Sequence, residues 1–225
     1  MHLPECDSLS RRGRGMTSQR TRDRMVKRLA RQGIGDARVL ELMAREPRHL
    51  FVDEALAQRA YEDSSLPIGF GQTLSRPLTV ARMTELAVQA EPRRVLELGS
   101  GSGYQTLLLS RLVAEVYSVE RIAALHRRAA QRLAWLEAPA RLKVADGTLG
   151  WAGAAPFDAI VLTACARTLP QALLEQLSDG GVLIAPVATG DGAQSLIQVR
   201  RTGRLFEQRR LESVRFVPLL EGVVE

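Results

Sequence analysis

The apolar positions of this chain follow two rhythms, and the change between them near Pro92 is its main organising feature. Before Pro92 the spacing is helical. A short helix is predicted over 23–32, with Gly33 and Gly35 as breakers. Asp36 can cap a second helix, whose apolar side is Val39, Leu40, Leu42 and Met43 and which Pro47 stops. Pro67 and Gly69 mark an irregular segment, and Pro77 offers a first helical position for a helix reaching about Ala90, with Val80, Met83 and Ala87 on its buried stripe. After Pro92, β-branched or leucine-rich runs at 95–98, 116–119, 142–144 and 159–162 read as buried strands. Between the second and third, Ile122, Leu125, Ala129, Leu133 and Leu136 recur at helical spacing. A helix over 169–177, ended by Asp179-Gly180-Gly181, precedes strands at 182–186, 196–200 and 214–219, the last two joined through a turn at Gly203. Strand and helix alternating in this way imply an α/β, doubly wound, mainly parallel sheet covered on both faces.

Composition and charge narrow the picture. A chain of 225 residues, 45% hydrophobic, can bury one substantial core. No apolar run reaches the roughly 18 residues of a membrane span, and the basic N-terminus lacks the apolar segment of a secretory signal. Cys6 and Cys165 imply no disulfide framework, so cytosol is the expected compartment. The formal charge is +6, but residues 1–32 hold nine Arg/Lys and three Asp/Glu, leaving 22 of each sign in residues 33–225. The body is neutral and the excess sits in an arm, read as a solvated extension rather than a nucleic-acid element. Residues 1–15 are expected to be a disordered basic extension, for which Met16 is an alternative start. Residues 16–225 are expected to form one domain, with N-terminal helices and an acceptor segment at 16–91 and the cofactor sheet at 92–225.

The most informative segment is Val95-Leu96-Glu97-Leu98-Gly99-Ser100-Gly101-Ser102-Gly103-Tyr104. It ends the first sheet strand and opens a helix, where a doubly wound sheet binds its ligand. Tyr104 breaks the dinucleotide fingerprint at its third glycine, and no Gly-Lys-Ser/Thr supplies a phosphate loop. Glu120 stands 21 residues after Gly99, at the end of the second strand, where a carboxylate can accept both ribose hydroxyl protons. Asp146-Gly147 follows the third strand. Each is readable alone as a turn or helix start. Together, at three successive strand ends, they indicate a nucleotide-type cofactor. The acid-GxGxG loop resembles motif I of the S-adenosylmethionine-dependent methyltransferases. In that family the loop holds the methionine half of the cofactor, and the position of Asp146 contacts adenine.

The acceptor is indicated elsewhere. Leu162-Thr163-Ala164-Cys165-Ala166 lacks the Asn/Asp-Pro-Pro-aromatic motif of base N-methyltransferases. Leu66-Pro67-Ile68-Gly69-Phe70-Gly71-Gln72-Thr73-Leu74-Ser75-Arg76-Pro77 resembles the signature of the protein-L-isoaspartate (D-aspartate) O-methyltransferases. Collinear matches include the stretch from Pro47 to Ala55, Ser118-Val119-Glu120-Arg121, Pro156-Phe157-Asp158-Ala159-Ile160 and Arg215-Phe216-Val217-Pro218-Leu219. The resemblance implies a seven-stranded sheet of order 3-2-1-4-5-6-7 with strand 6 antiparallel. It also implies a monomeric repair enzyme that uses S-adenosylmethionine, releases S-adenosylhomocysteine and needs no metal. Its substrates would be age-damaged proteins with isoaspartyl residues, esterified on the α-carboxylate and returned through a succinimide toward aspartate.

By the same resemblance Ser75 is catalytic. Thr73, Leu74, Glu97, Gly99, Gly101, Gly103, Glu120, Asp146 and Gly147 bind the cofactor, and Ile68, Gln72, Val217 and Pro218 bind the substrate. Ser75 is also readable as a helix cap, although a helix starting at Pro77 would make Arg76 the cap. Phe216 and Val217 are equally readable as core. Phe70, Arg76 and Ala145 depart from the family's commonest residues, which leaves substrate preference open. Two other readings remain: a methyltransferase acting on RNA or a small molecule, steered by the arm, and a non-catalytic module that retains the cofactor fold.

Overall fold

Helical spacing in the first third of the chain becomes short helices wherever a cap and an apolar stripe coincide. The computed structural model describes residues 13–190 and 192–225, which fall into two compact units divided between Glu85 and Leu86. Cys6 and the arm through Arg12 lie outside the described residues, whereas Gly15–Thr17 forms a 3-10 turn. Helix α1 spans Gln19–Arg31 and buries Thr21, Arg22, Met25 and Leu29. It starts earlier than the sequence suggested, because Thr21 and Arg22 lie on the buried stripe and so extend it into a stretch that reads as a charged arm. Helix α2, Ala37–Arg45, follows Asp36, whose carboxylate accepts from the Arg38 and Val39 N–H groups. This is the expected cap.

Between α2 and the hairpin, Arg48 is fully buried and donates through Nε to the Ala60 carbonyl at 2.7 Å. Strands β1 (Leu66–Gly69) and β2 (Gln72–Leu74) pair antiparallel, Leu66 opposite Leu74 and Pro67 opposite Thr73. The segment expected to be irregular is thus a small hairpin, turned by left-handed backbone at Gly69, Phe70 and Gly71. Helix α3 is Pro77–Val88 and buries Val80, Met83 and Ala87, as the stripe predicted.

In the second unit, strands β3 (Arg94–Leu98), β4 (Glu115–Glu120), β5 (Ala140–Val144), β6 (Phe157–Leu162), β7 (Leu177–Ala188), β8 (Gln194–Thr202) and β9 (Leu205–Ser213) form one sheet. Its order is β5-β4-β3-β6-β7-β8-β9. Pairings from β5 across to β7 are parallel, and β8 is antiparallel to both its neighbours. Counted within the sheet this is 3-2-1-4-5-6-7 with the sixth strand reversed, the expected topology. Helices α4 (Tyr104–Leu112), α5 (Ala123–Trp135) and α6 (Gln171–Glu175) connect the strands. The core is built of Leu96, Leu98, Val119, Phe157, Ile160, Leu162, Leu183 and Ile197, among others.

Two elements differ from the sequence reading. The last strand is Leu205–Ser213, not 214–219: β9 is an exposed edge strand carrying Glu207, Gln208, Arg209 and Arg210, so no apolar rhythm announces it. The predicted helix over 169–177 shrinks to α6, because Leu177 already pairs with Phe157. Asp179-Gly180-Gly181 falls inside β7 as a bulge rather than ending a helix. There a Cβ on Gly181 would meet the Ser178 carbonyl at 2.9 Å, so glycine is what lets the strand fold back on itself.

Candidate active site

The carboxyl ends of β3 and β4 are tied into one loop by backbone donors. At the end of β3 the Gly99 N–H bonds the Val119 carbonyl at 2.8 Å. Gly99 has φ +96, and a Cβ there would sit 2.3 Å from Thr163 Oγ1, which donates to the carbonyls of Leu98 and Gly99. Only glycine satisfies both conditions. Gly103, also left-handed, is the N-cap of α4. Glu120, 4% exposed at the end of β4, accepts the Gly101 N–H on Oε2 at 2.8 Å and the Ile122 N–H on Oε1 at 3.0 Å. A carboxylate has about four acceptor sites, so these bonds leave capacity for ligand hydroxyls.

Glu97 lies beneath this loop with no exposed surface. Its Oε2 accepts from Thr106 of α4 at 2.5 Å and from Ser118 of β4 at 2.6 Å, and Ser118 in turn meets Ser100 of the loop at 2.6 Å. Burial pushes the Glu97 carboxyl up to about 7 against the pull of the Ser118 and Thr106 hydroxyls, and the charge of Glu120 adds to the rise.

Asp146 follows β5. Its Oδ1 accepts from the Thr148 N–H (2.8 Å) and hydroxyl (2.7 Å), and its Oδ2 from the Gly222 N–H (2.7 Å). Burial alone would raise its pKa, but the Gly222 and Thr148 donors and the Arg121 charge hold it below the ordinary value. Gly147 beside it is buried. Val217 and Pro218 lie in extended chain clamped to the loop after β6: Cys165 N–H donates to the Val217 carbonyl and Leu219 N–H to the Cys165 carbonyl, both at 2.7 Å. Phe216, half-buried, is held by Gln194 through both backbone groups.

In the first unit, Ile68 and Leu74 are buried, Gln72 and Ser75 half-buried and Thr73 exposed. The Val80 N–H bonds the Arg76 carbonyl, which makes Arg76 the residue that opens α3, so Ser75 is not the cap. The Ser75 carbonyl is pinned by Arg48 Nη2 at 2.6 Å, while its hydroxyl has no hydrogen-bond partner among the described residues.

Thr163, Ser118, Thr106 and Arg48 were missed by the sequence reading. Thr163 was legible only as the first residue after the fourth strand. Ser118 and Thr106 lie inside a strand and a helix, where nothing local distinguishes a network hydroxyl from packing, and Arg48 stands in a polar stretch that reads as surface.

The fold and this loop define a class I methyltransferase. The residues present fit its cofactor: a glycine turn that excludes side chains, with carboxylates closing the next two strands. The sequence model of the protein-L-isoaspartate(D-aspartate) O-methyltransferases matches residues 20–224. The protein-L-isoaspartate O-methyltransferase of Chromohalobacter salexigens is 66% identical over 214 residues, covering 95% of this chain and 93% of that protein. Enzyme 1 of the same name from Marinobacter nauticus is 57% identical over 213 residues, covering 94% and 97%. A solved protein-L-isoaspartate O-methyltransferase superposes with TM-score 0.80 at 24% identity, covering 90% of this chain and 67% of that one. A Plasmodium falciparum structure in complex with S-adenosyl-L-homocysteine superposes at 0.78, also at 24% identity, covering 88% and 98%. The chain belongs to the protein-L-isoaspartate(D-aspartate) O-methyltransferase family. It is an S-adenosylmethionine-dependent enzyme that methylates isoaspartyl residues of proteins.

Replacing Glu120 with alanine should weaken cofactor affinity about tenfold, the scale of losing one or two hydrogen bonds to a charged acceptor. Calorimetric titration with S-adenosylhomocysteine checks this, and unaltered affinity would remove Glu120 from ribose recognition.

Proposed function

We propose that the residues described above divide the reaction between them. The loop 99–103 with Glu120, Asp146 and Gly147 holds the cofactor, joined by Thr73 and Leu74, and Glu97 supports the loop from beneath. Ser75 orients the acceptor carboxylate, while Ile68, Gln72, Val217 and Pro218 bound its peptide. The observation that carries Ser75 is its release from capping duty with its backbone held by a buried arginine.

Bound S-adenosylmethionine supplies an electrophilic methyl group on a sulfonium. The α-carboxylate of an isoaspartyl residue has a reference pKa of about 4, so it is already nucleophilic at neutral pH and needs no general base. The protein's contribution is then alignment and partial exclusion of water, and positioning of this kind can supply about 7–11 kcal/mol of a barrier. In the resulting methyl ester the backbone amide nitrogen displaces methanol to close a succinimide, which water reopens partly as normal aspartate. Substrate selection rests on flexible, aged segments recognised through their backbone. The enzyme works as a monomer in the cytoplasm and does not require nucleic acid. Among the described residues no helix is long and apolar enough to cross a membrane.

Incubation with labelled S-adenosylmethionine and an isoaspartyl peptide, beside its normal aspartyl twin, tests the reading. Label should enter the isoaspartyl peptide alone. Equal labelling of both, or of neither, would reject repair as the function.

A further inference from the structure

We propose that Phe70 is a specificity-determining residue: its ring, held out on the tip of the β1–β2 hairpin, takes an apolar side chain of the acceptor protein about three to five residues from the isoaspartyl residue. This rests on the reading that the hairpin and Ser75 bound the acceptor.

The turn is built against local preference. Phe70 and Gly71 join β1 to β2, and both have left-handed backbone, φ +55 and +68, as a two-residue type I′ hairpin turn requires. Such turns take asparagine, aspartate or glycine at the first of these places, because a larger side chain at positive φ crowds its own backbone. Phenylalanine stands there instead, and it is 51% exposed, so burial does not offset the strain. An aromatic residue that is both strained and half in water marks a surface kept for binding.

The ring is presented on fixed backbone. Gly69, on its other side, is also left-handed, φ +91, and Gln72 donates from Nε2 to the Phe70 carbonyl at 3.2 Å. Leu66, Ile68 and Leu74 bury one face of the hairpin, which leaves the cross-strand partners Pro67 and Thr73 exposed on the other. An aromatic side chain loses little conformational freedom on binding and offers contact area without demanding a particular sequence. That suits acceptors recognised mainly through their backbone, to which Phe70 adds one apolar contact.

Spacing along the hairpin sets where that contact falls. Gln72, Thr73 and Leu74 separate the turn from Ser75. Extended chain rises about 3.3 Å per residue, so the turn and Ser75 stand roughly 10–17 Å apart along the hairpin. An extended acceptor peptide covers that span in about three to five residues, and the immediate neighbours of the isoaspartyl residue fall short of it.

Steady-state kinetics on a series of isoaspartyl peptides tests this. The peptides are otherwise glycine, alanine and serine, with one leucine moved outward position by position on either side of the isoaspartyl residue. Leucine should lower KM about fivefold at one or two positions about three to five residues away, with little effect beside the isoaspartyl residue. Phe70→Asn should remove this position dependence, the loss falling on KM rather than on kcat. The same change gives the turn its preferred Asn-Gly pair, so the melting temperature should hold or rise by up to about 4 °C. Phe70→Tyr keeps a ring and should retain the leucine effect. A flat leucine scan, one that peaks only beside the isoaspartyl residue, or a peak that survives in Phe70→Asn overturns the proposal. So does loss of the peak in Phe70→Tyr, or a lowered melting temperature in Phe70→Asn, which would make the ring part of the fold. Methylation of no peptide in the series would overturn the acceptor reading itself, and this inference with it.

Discussion

Replacing Gly99 with alanine is expected to cost about 100-fold in cofactor affinity and to leave the fold in place. Two terms add. A non-glycine residue at φ +96 is strained by about 1–3 kcal/mol. A Cβ 2.3 Å from Thr163 Oγ1 must also push that side chain off the carbonyls of Leu98 and Gly99, between which its single hydroxyl proton is shared, at a net cost of about 1 kcal/mol. The cheapest escape is for the turn to open, since it lies at the end of β3 and not within the ladder. An opened turn must then be closed again by the ligand, so the strain appears mainly as lost affinity: about 3 kcal/mol corresponds to about 100-fold. Titration with S-adenosylhomocysteine measures the loss, and far-UV circular dichroism monitors the fold. Affinity within threefold of the parent would mean that the turn tolerates a side chain and is not shaped for close approach.

The sequence exposes this turn because its requirements are local. Glycines at alternate positions after an apolar strand, and carboxylates at the ends of the next two strands, can be read without knowing what lies opposite. The order of the sheet came from the family resemblance; what the pattern itself exposes is that a run such as 159–162, apolar on both faces, suits a central parallel strand. The edge escaped for the complementary reason. On β9, Glu207, Gln208, Arg209 and Arg210 face solvent, and what makes them a strand is pairing with β8, a long-range fact. The residues 214–219, apolar enough to be taken for that strand, instead clamp the loop at Cys165. Hydrogen-bonded hydroxyls were the least legible of all. Ser118 sits in a strand and Thr106 in a helix, and only the fold shows that both converge on Glu97. Arg48 is similar: a charged residue in a polar stretch reads as surface, yet it is fully buried because the carbonyls of Ala60 and Ser75 meet its guanidinium.

Ser75→Ala is expected to lower turnover on isoaspartyl peptide about 100-fold, the scale of removing one preorganised donor from a reacting oxygen, with cofactor affinity little changed. The backbone argument makes this a sharp test. Arg76, not Ser75, opens α3, so losing the hydroxyl removes no helix cap, and the Arg48 bond to Ser75 is made by the carbonyl, which alanine keeps. Stability should therefore stay within about 0.5 kcal/mol of the parent, the range of substitutions that break no structural feature. A fall in kcat with unchanged melting temperature and unchanged affinity for S-adenosylhomocysteine would place the hydroxyl on the acceptor. A fall in cofactor affinity instead would place it on the donor side. Ser75→Thr, which keeps a hydroxyl on a stiffer side chain, should recover part of the loss, because the effect belongs to the oxygen and not to the packing. Turnover unchanged in Ser75→Ala would remove the residue from the chemistry and leave the Arg48 bond as a device that shapes the hairpin alone.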